Sequence, residues 1–443
     1  MKSTIRDWMR QLGPGLITGA ADDDPSGIAT YSQAGAQFGF LTLWTVVFTY
    51  PLMVGIQMVS ARIGRVTGHG LASNVGRHFP RSVLYGIVSL LVFANTINIA
   101  ADIAAMGDAL HLVIGGPSHV YVVIFGVASL LLQVFLTYQR YVRYLKWLTL
   151  ALLAYVALVL TIRVPWSVVA AHSIMPHFAF TADYLTVVVA LFGTTISPYL
   201  FFWQASQEVE ELDADPDANA LAHAPQGAAE HLRRIKIDTY LGMGFSNLVA
   251  FCIIVGTAST LHLAGVTDIQ TSAQAAEALR PLAGDFAFLL FALGIIGTGL
   301  IAVPVLAGSA AYAVAETFEW RRGLDLKLLE AREFYAIIAL ATLGGVALDF
   351  SPIDPIRALF WSAVVNGVIA VPIMVVMMLL ADDPKVMGEF AVTRRLKALG
   401  WLATGTMAAA VAAMFATWLA RRKRLGSVDD LSQLTTLVAR RHF

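Results

Sequence analysis

Apolar residues recur along this chain in runs of about twenty, and most charged side chains lie in the short segments between these runs. A run of that length, folded as an α-helix, crosses roughly 30 Å of hydrocarbon. The pattern predicts eleven spans, whose residue ranges are 12–36, 40–62, 82–108, 118–138, 144–163, 182–206, 237–263, 284–317, 333–349, 355–380 and 397–420. Because no soluble domain fits between the spans, we expect a single all-α polytopic membrane domain over residues 1–443.

The composition indicates that the membrane is the solvent of this chain. Hydrophobic residues make up 57% of the 443 residues and charged residues only 14%. A soluble domain could not bury that much apolar area. The lone Cys252 lies inside an apolar run, so we interpret it as a small apolar filler and expect no disulfide within the chain.

Lysine and arginine are unevenly distributed between the two sets of alternate loops, and this bias predicts the orientation. The N-terminal segment and the loops after spans 2, 4, 6, 8 and 10 hold most of the 30 residues of these two types. The opposite loops and helix ends hold Arg163, Arg280 and Arg357. We therefore expect a bacterial inner-membrane protein with a cytoplasmic N-terminus. The polar tail, residues 421–443, is also basic, so its side of the membrane stays open.

Spans 1 and 6 are each interrupted by a proline among small or polar residues. Pro25 and Pro198 each lack a backbone N–H, and each pushes the residue before it, Asp24 or Ser197, out of the helical region. The carbonyls freed in this way cannot face lipid. The breaks are therefore expected to line a cavity or to bind a ligand.

Paired breaks of this kind are typical of transporters built from two inverted repeats, with the substrate at the interface between the repeats. Breaks in spans 1 and 6 fit two five-helix repeats of opposite orientation. We predict that the first repeat covers residues 12–163 and the second residues 182–380. Residues 397–420 then form an additional helix.

Three consecutive aspartates stand at the break of span 1. A carboxylate inside the membrane is retained chiefly where it faces a partner or a watery path. Asp24, next to Pro25, is predicted to bind a metal ion directly or through water. Asp22 and Asp23 are expected to face a vestibule or to contact the groups that bind the ion.

The break of span 6 offers hydroxyl and carbonyl oxygens from Thr194, Thr195 and Ser197, and Asn366 in span 10 is a further candidate ligand. None of these groups contains sulfur or imidazole. Mg2+ and Ca2+ prefer oxygen ligands, whereas Fe2+, Zn2+ and Cu2+ are better selected by sulfur or imidazole. Because Mg2+ gives up water reluctantly and the residues here are small, the pattern favours a partly hydrated Mg2+ ion.

Other polar residues also lie inside the spans. Asp102 in span 3 is a candidate for an ion path. Asn95, Asn98 and Asn247 are expected to form hydrogen bonds between helices.

At the breaks the chain resembles the Nramp superfamily of divalent metal transporters, whose fold is of the leucine-transporter type. Gly13-Pro14-Gly15 and the run from Asp24 to Ala36 look like the first helix of that family. The similarity extends through all eleven spans and is most specific in spans 1 and 6. It implies a carrier that moves a divalent metal ion by alternating access.

The two motifs differ from those of the transition-metal members, which carry Asp-Pro-Gly-Asn in the first helix and Met-Pro-His in the sixth. Here Gly27 replaces the asparagine, Ser197 the methionine and Tyr199 the histidine. The resemblance therefore places Gly27 among the metal-site residues and makes Tyr199 a candidate for the ion path or for contact with the ligands. Thr194 stands where the usual members supply an alanine carbonyl, and Asn366 aligns approximately with a glutamine. The pattern is similar to the prokaryotic Nramp-related magnesium transporters, which implies transport of Mg2+ alongside Mn2+.

The resemblance also bears on proton coupling. Asp102 matches an aspartate associated with proton movement, but Ala105 stands where the family has a glutamate, and the histidine of the sixth helix is absent. The resemblance therefore implies uncoupled Mg2+ uptake driven by the membrane potential, which supplies about 2.3 kcal/mol per charge for each 100 mV.

Two other carriers fit the sequence less well. One is a proton-coupled Mn2+ or Fe2+ transporter of the same fold, which Asp102 supports, and the other is a sodium-coupled amino-acid carrier, which would not need three aspartates. An enzyme is not expected, because the sequence shows no nucleophile–base pair, phosphate-binding glycine loop or closely spaced histidine pair. We expect the metal ion and the lipid bilayer as partners, with no cofactor, nucleic acid or obligate protein partner.

Overall fold

The computed structural model describes residues 18–19, 21–135, 148–214, 219–348 and 354–439, with side chains as far as residue 422. In this part of the chain all regular elements are helices. The main ones are α1 (Pro25–Phe38), α2 (Leu43–Thr67), α3 (Arg81–Ile114), α4 (Ser118–Phe135), α5 (Leu153–Thr161), α6 (Ala182–Thr195), α7 (Pro198–Asp213), α8 (Ala228–Thr257), α9 (Ala287–Thr317), α10 (Arg332–Leu348), α11 (Pro355–Asp382) and α12 (Arg394–Ala439). Shorter helical segments are Gly39–Thr42, Leu71–His78, Leu148–Leu152, Trp166–Ile174, Ala258–His262, Ser272–Glu277, Arg280–Ala283, Gly284–Phe286, Pro384–Met387 and Gly388–Phe390.

The predicted polytopic all-α class is confirmed. Among the described residues, eight helical stretches are long and apolar enough to cross a membrane, or nine if the bent pair Leu150–Thr161 and Trp166–Ile174 forms one span. The eleven predicted spans exceed this number for two reasons. The stretch Pro25–Thr67 has 43 residues, about twice what one crossing needs, and α10 with its 17 residues is at the lower limit for a crossing. The predicted span residues 12–17, 20, 136–138, 144–147 and 349 lie outside the described residues.

The break predicted in span 1 is present at Asp24, where the chain is extended between the helical residues 21–22 and α1. Asp24 has φ −67° and ψ 171°, because the ring of Pro25 disfavours the helical conformation in the residue before it. Its side chain accepts a hydrogen bond from the Gly27 N–H and so caps α1. Asp24 therefore helps to shape the break.

Span 6 is broken in the same way. Helix α6 ends at Thr195, and the next two residues leave the helical conformation, with φ −122° and ψ 61° at Ile196 and φ −81° and ψ 132° at Ser197. Pro198 then begins α7. Both predicted interruptions are thus confirmed, and each proline is the first residue of a new helix.

Helix α1 packs against α6, α8 and α11, so the two breaks lie in the interior of the protein. Helices α6 and α11 approach closely at Gly193 and Gly367, where a Cβ on Gly193 would overlap the α11 backbone at Ala363. Glycine is therefore required at this contact. Because Asn366 precedes Gly367, this contact places Asn366 of α11 near the last turn of α6.

Candidate metal site

Asp24 is the centre of the candidate site, and only 2% of its surface is exposed. Its Oδ1 accepts hydrogen bonds from the Ser26 hydroxyl at 2.6 Å and from the Gly27 N–H at 2.7 Å. Its Oδ2 accepts a hydrogen bond from the Asn98 amide at 3.2 Å and lies 3.4 Å from the Tyr199 hydroxyl. Oδ1 is therefore fixed by the start of α1, whereas the longer contacts of Oδ2 exchange more readily for an ion.

Thr194 and Gly27 face each other across the two breaks. A Cβ on Gly27 would lie 3.2 Å from Thr194 Oγ1 and 3.3 Å from the ring of Tyr31. The hydroxyls of Thr194 and Tyr31 lie near each other, but neither makes a hydrogen bond of normal geometry to a described residue. Buried hydroxyls are normally partnered. A water molecule or an ion is thus the expected partner of Thr194 beside Asp24.

Ser197 uses its hydroxyl to close the end of α6. Its oxygen lies 2.7 Å from the Gly193 carbonyl and 2.9 Å from the Thr194 carbonyl. In a continuous helix the Thr194 carbonyl would accept from residue 198, but Pro198 has no N–H. Thr195 donates to the Leu191 carbonyl of its own helix at 2.8 Å. The roles of Ser197 and Thr195 as ion ligands stay predictions.

Asn366 is completely buried in α11, next to the close contact of Gly367 with Gly193. Neither its Oδ1 nor its Nδ2 has a hydrogen-bond partner in the part of the chain that the structure describes. Leaving a buried polar group unpaired costs roughly 1–3 kcal/mol. A water molecule or a hydrated ion would remove this cost.

Asp22 and Asp23 are not exposed to an open vestibule in this structure, while their predicted contact with the groups that bind the ion stays a prediction. Both are buried, and the Ser246 hydroxyl of α8 lies 2.5 Å from Asp22 Oδ2 and 3.0 Å from Asp23 Oδ1. The burial has a packing cause: the segment before the break lies so close to α8 that a Cβ on Gly19 would overlap Gly242. The second oxygen of each carboxylate has no partner among the described residues.

Sequence reasoning does not find Ser246. A lone serine in an apolar helix usually donates to the backbone of its own helix, so it gives no signal of a contact with a carboxylate. The more conspicuous neighbour, Asn247, has an Oδ1 without a partner in the described part of the chain.

Helix α3 contributes a polar face beside the site. The Asn95 amide donates to the Leu306 carbonyl at 2.8 Å and to the Ser309 hydroxyl at 2.7 Å, both in α9. Asn98 donates to Asp24 as described, so the predicted interhelical hydrogen bonds of Asn95 and Asn98 are confirmed. Asp102 lies one turn beyond Asn98 on the same face and is fully buried, and neither of its oxygens has a partner among the described residues.

A cavity of about 360 Å3 opens on the side that is predicted to be external, between α1 and the starts of α6 and α11. It reaches Ala29, about 7.5 Å beyond Asp24 along α1. Gln33, which also lines it, accepts a hydrogen bond from the Ile269 N–H at 2.9 Å and so ties the loop after α8 to α1. Asp24, Thr194 and Asn366 do not line this cavity and are at most 2% exposed, so the site is closed on this side.

The described residues contain no group of three or more His, Cys, Asp or Glu side chains arranged to hold a metal ion. The candidate site is instead the carboxylate of Asp24 with the Thr194 hydroxyl beside Gly27, and Asn366 follows in α11 next to the contact of Gly367 with Gly193. A site of this composition suits a hard cation that keeps part of its water.

A helical membrane protein in which two broken spans meet around a buried carboxylate has the architecture of a secondary transporter. The chain belongs to the Nramp family, because the sequence profile of that family, described as natural resistance-associated macrophage protein-like, matches residues 15–417. This match confirms the predicted family. It also confirms that the protein is a membrane transporter and not an enzyme.

Individual relatives agree with this assignment. The divalent metal cation transporter MntH of Caldanaerobacter subterraneus subsp. tengcongensis is 25% identical over 413 residues, which cover 90% of each chain. A solved manganese transporter of Eremococcus coleocola has a TM-score of 0.72 at 19% identity, covering 98% of this chain and 93% of its own. Mhp1, a transporter of the nucleobase-cation-symport-1 family, has a TM-score of 0.57 at 14% identity, covering 93% of both chains. These similarities confirm the predicted leucine-transporter-type fold, while the repeat boundaries stay predictions.

Proposed function

We propose that this protein is a divalent metal cation transporter whose main cargo is Mg2+, with Mn2+ also carried. The ion crosses partly hydrated, by alternating access and without a proton. The observation that carries the proposal is the chemistry around Asp24, whose hydrogen-bond partners among the described residues are hydroxyls, an amide and a backbone N–H. Family membership supports a divalent metal as the cargo, and the choice of Mg2+ rests on these side chains.

A partly hydrated Mg2+ ion needs hydrogen-bond acceptors for the water molecules that it keeps. Asp24 Oδ2, the Thr194 hydroxyl and Asn366 Oδ1 supply such acceptors close to the two breaks. The last two have no partner of normal geometry among the described residues, so they can accept without losing a bond to the protein. One carboxylate supplies the attraction, and neutral oxygens supply the remaining contacts.

The membrane potential alone is sufficient to drive this uptake. Two charges moving inward gain about 4.6 kcal/mol for each 100 mV, which sustains a concentration ratio of more than about a thousandfold. A coupled proton would therefore be unnecessary. We include in the proposal a bacterial inner membrane and a cytoplasmic N-terminus, which the distribution of lysine and arginine supports.

The test is uptake into proteoliposomes under an inside-negative potential, with one dye for Mg2+ and another for internal pH. We expect Mg2+ influx without acidification in the wild type and no influx in Asp24→Asn. Asp285→Asn changes an exposed aspartate and is the matched control, which should transport normally. Influx of Mn2+ alone, accompanied by acidification, would overturn both the choice of Mg2+ and the absence of coupling.

The second candidate is proton-coupled transport of Mn2+ or Fe2+. Asp102 favours it, because this carboxyl is buried without a partner in the described residues, one turn from Asn98. A sulfur also lies near the break, since a Cβ on Gly299 would lie 2.5 Å from Met106 Sδ and 3.3 Å from the ring of Pro25. Under this alternative, Asp102→Asn would abolish the acidification that accompanies Mn2+ influx. The similarity to Mhp1 shows the fold alone and gives no support to an amino-acid carrier.

A further inference from the structure

A continuous depression runs along α3 and α9, on the side that is predicted to be cytoplasmic. Its polar part is a cavity of about 700 Å3 beside the short helix Leu71–His78, at the start of α3 and the end of α9. Its apolar part is a groove of about 360 Å3 between α3 and α9. The two parts share Tyr85, Thr317 and Phe318. None of the residues described at the candidate metal site lines either part.

The polar cavity has an excess of positive charge. Arg322 lies 3.5 Å from Glu316, whereas Arg77 and Arg81 make no ion pair with a described residue. Glu316 also accepts a hydrogen bond from the Ser73 N–H at 3.0 Å, so its charge is engaged by the fold. The remaining acidic residue of the lining is Glu319.

His69, which also lines this cavity, adds little to this charge. Its ring nitrogen Nδ1 lies 2.8 Å from the Thr67 carbonyl. Burial, together with the neighbouring Arg77 and Arg322, lowers the pKa of His69, which favours the neutral ring. The two arginines without an ion pair are therefore available to a phosphate group, which guanidinium binds through paired hydrogen bonds.

The apolar groove is exposed on the side of two predicted spans, so we expect it to face the hydrocarbon. Val88, Val92 and Phe93 of α3 line it together with Phe318, and Phe93 and Phe318 are 58% and 52% exposed. From Arg81 to Phe93, α3 rises about 18 Å. This distance is close to the depth of one leaflet, which is about half of the 30 Å hydrocarbon core.

We propose that this depression binds an anionic phospholipid of the cytoplasmic leaflet. The headgroup phosphate lies among Arg77, Arg81 and Arg322, and one acyl chain follows the groove between α3 and α9. Basic pockets between membrane helices on the cytoplasmic side suit such headgroups. A free phosphate has the same headgroup chemistry but would leave the adjoining groove empty. The bound lipid bridges the helix before α3 and the segment after α9, and so stabilises their junction.

The test is binding of phosphatidylglycerol to the purified full-length chain by native mass spectrometry, with thermal unfolding in the same detergent. We expect phosphatidylglycerol to bind at least about tenfold more tightly than phosphatidylcholine and to raise Tm. The double variant R77Q/R81Q should weaken this binding about tenfold or more. The matched control R394Q/R395Q changes two exposed arginines on the same predicted side and should bind as the wild type does.

A second variant distinguishes the contribution of the acyl chain to binding from that of the headgroup. Ser89→Trp fills the groove without altering charge, so it should weaken binding of phosphatidylglycerol but not of glycerol 3-phosphate. Arg77, Arg81 and Ser89 are exposed, so these variants are expected to fold. Equal binding of phosphatidylglycerol by the wild type and R77Q/R81Q would overturn the proposal, as would an equal rise in Tm with glycerol 3-phosphate. Neither measurement depends on transport, so its outcome is independent of the proposed cargo.

Discussion

The charge of Asp24 can be removed while most of the hydrogen bonds that shape the break are kept. In Asp24→Asn, the amide oxygen can still accept from the Ser26 hydroxyl and the Gly27 N–H, which lie at 2.6 and 2.7 Å in the wild type. Asparagine also caps helices about as well as aspartate. The amide nitrogen then faces the donor groups of Asn98 and Tyr199, which costs about 1 kcal/mol for a lost hydrogen bond. We therefore expect a folded variant with a slightly lower Tm.

The substitution Asp24→Asn should reduce the affinity for the cation much more than it reduces the stability of the fold. A hydrogen bond to a charged acceptor contributes about 1.5–3 kcal/mol, against about 0.5–1.5 kcal/mol for a neutral one. Two contacts between the carboxylate and the water shell of an ion therefore lose about 2–3 kcal/mol. The lost attraction between a divalent cation and a carboxylate adds to this. Together these terms predict a loss of at least about 100-fold in Mg2+ affinity.

The assay combines isothermal titration of Mg2+ into the purified variant with uptake into proteoliposomes. Ser26→Ala serves as a second comparison, because it removes one hydrogen bond of Asp24 and keeps the charge. It should retain most of the uptake. Uptake by Asp24→Asn within threefold of the wild type, at nearly unchanged Tm, would refute the assignment of Asp24 to the ion site.

Three further substitutions test the neighbouring groups. Ser197→Met places a sulfur at the end of α6 and should shift the preference from Mg2+ toward Mn2+ in competitive uptake, whereas an unchanged preference would point to cavity size. It also removes the hydroxyl beside the Gly193 and Thr194 carbonyls, so stability should fall by about 1–2 kcal/mol in thermal unfolding. Asn366→Ala should lower Mg2+ uptake about tenfold with little change in Tm, because the amide has no protein partner among the described residues; a large fall in Tm would instead indicate a packing role. Met106→Leu should leave the ratio of Mg2+ to Mn2+ uptake unchanged, and a selective loss of Mn2+ uptake would assign the sulfur to the ion site.

The breaks and Asp24 are predictable from the sequence because each is a local signal. A proline inside an apolar run interrupts a helix whatever surrounds it, and a carboxylate at membrane depth needs a partner. The structure places the two breaks together, with Thr194 beside Gly27 and Asn98 in contact with Asp24. For the two prolines and Asp24, local chemistry is sufficient to predict the break from the sequence.

The residues that local chemistry leaves undecided are those whose environment depends on packing. Asp22 and Asp23 have the same sequence signal as Asp24, yet both contact the Ser246 hydroxyl, because α8 lies directly beside the preceding segment. The hydroxyl of Ser197 is a chemically suitable metal ligand, but it lies beside the Thr194 carbonyl, which lacks a backbone donor because residue 198 is proline. Neither of these contacts follows from residue type or spacing, since each depends on which groups come close in the folded protein.

The contacts around Asp24 also connect ion binding to the position of the segment that precedes the break in span 1. The segment before the break is held to α7 by two hydrogen bonds: Thr18 donates to Gln204 Oε1 at 2.5 Å, and the Tyr199 hydroxyl donates to the Ala21 carbonyl at 3.0 Å. Tyr199 is also 3.4 Å from Asp24 Oδ2, the oxygen with the longer contacts. Because the hydroxyl has a single proton, an ion that occupies Oδ2 leaves this proton to the Ala21 carbonyl. Binding of the ion at Oδ2 is thus expected to stabilise the contact of this segment with α7, and a ligand that favours one conformation of a protein shifts the population toward it.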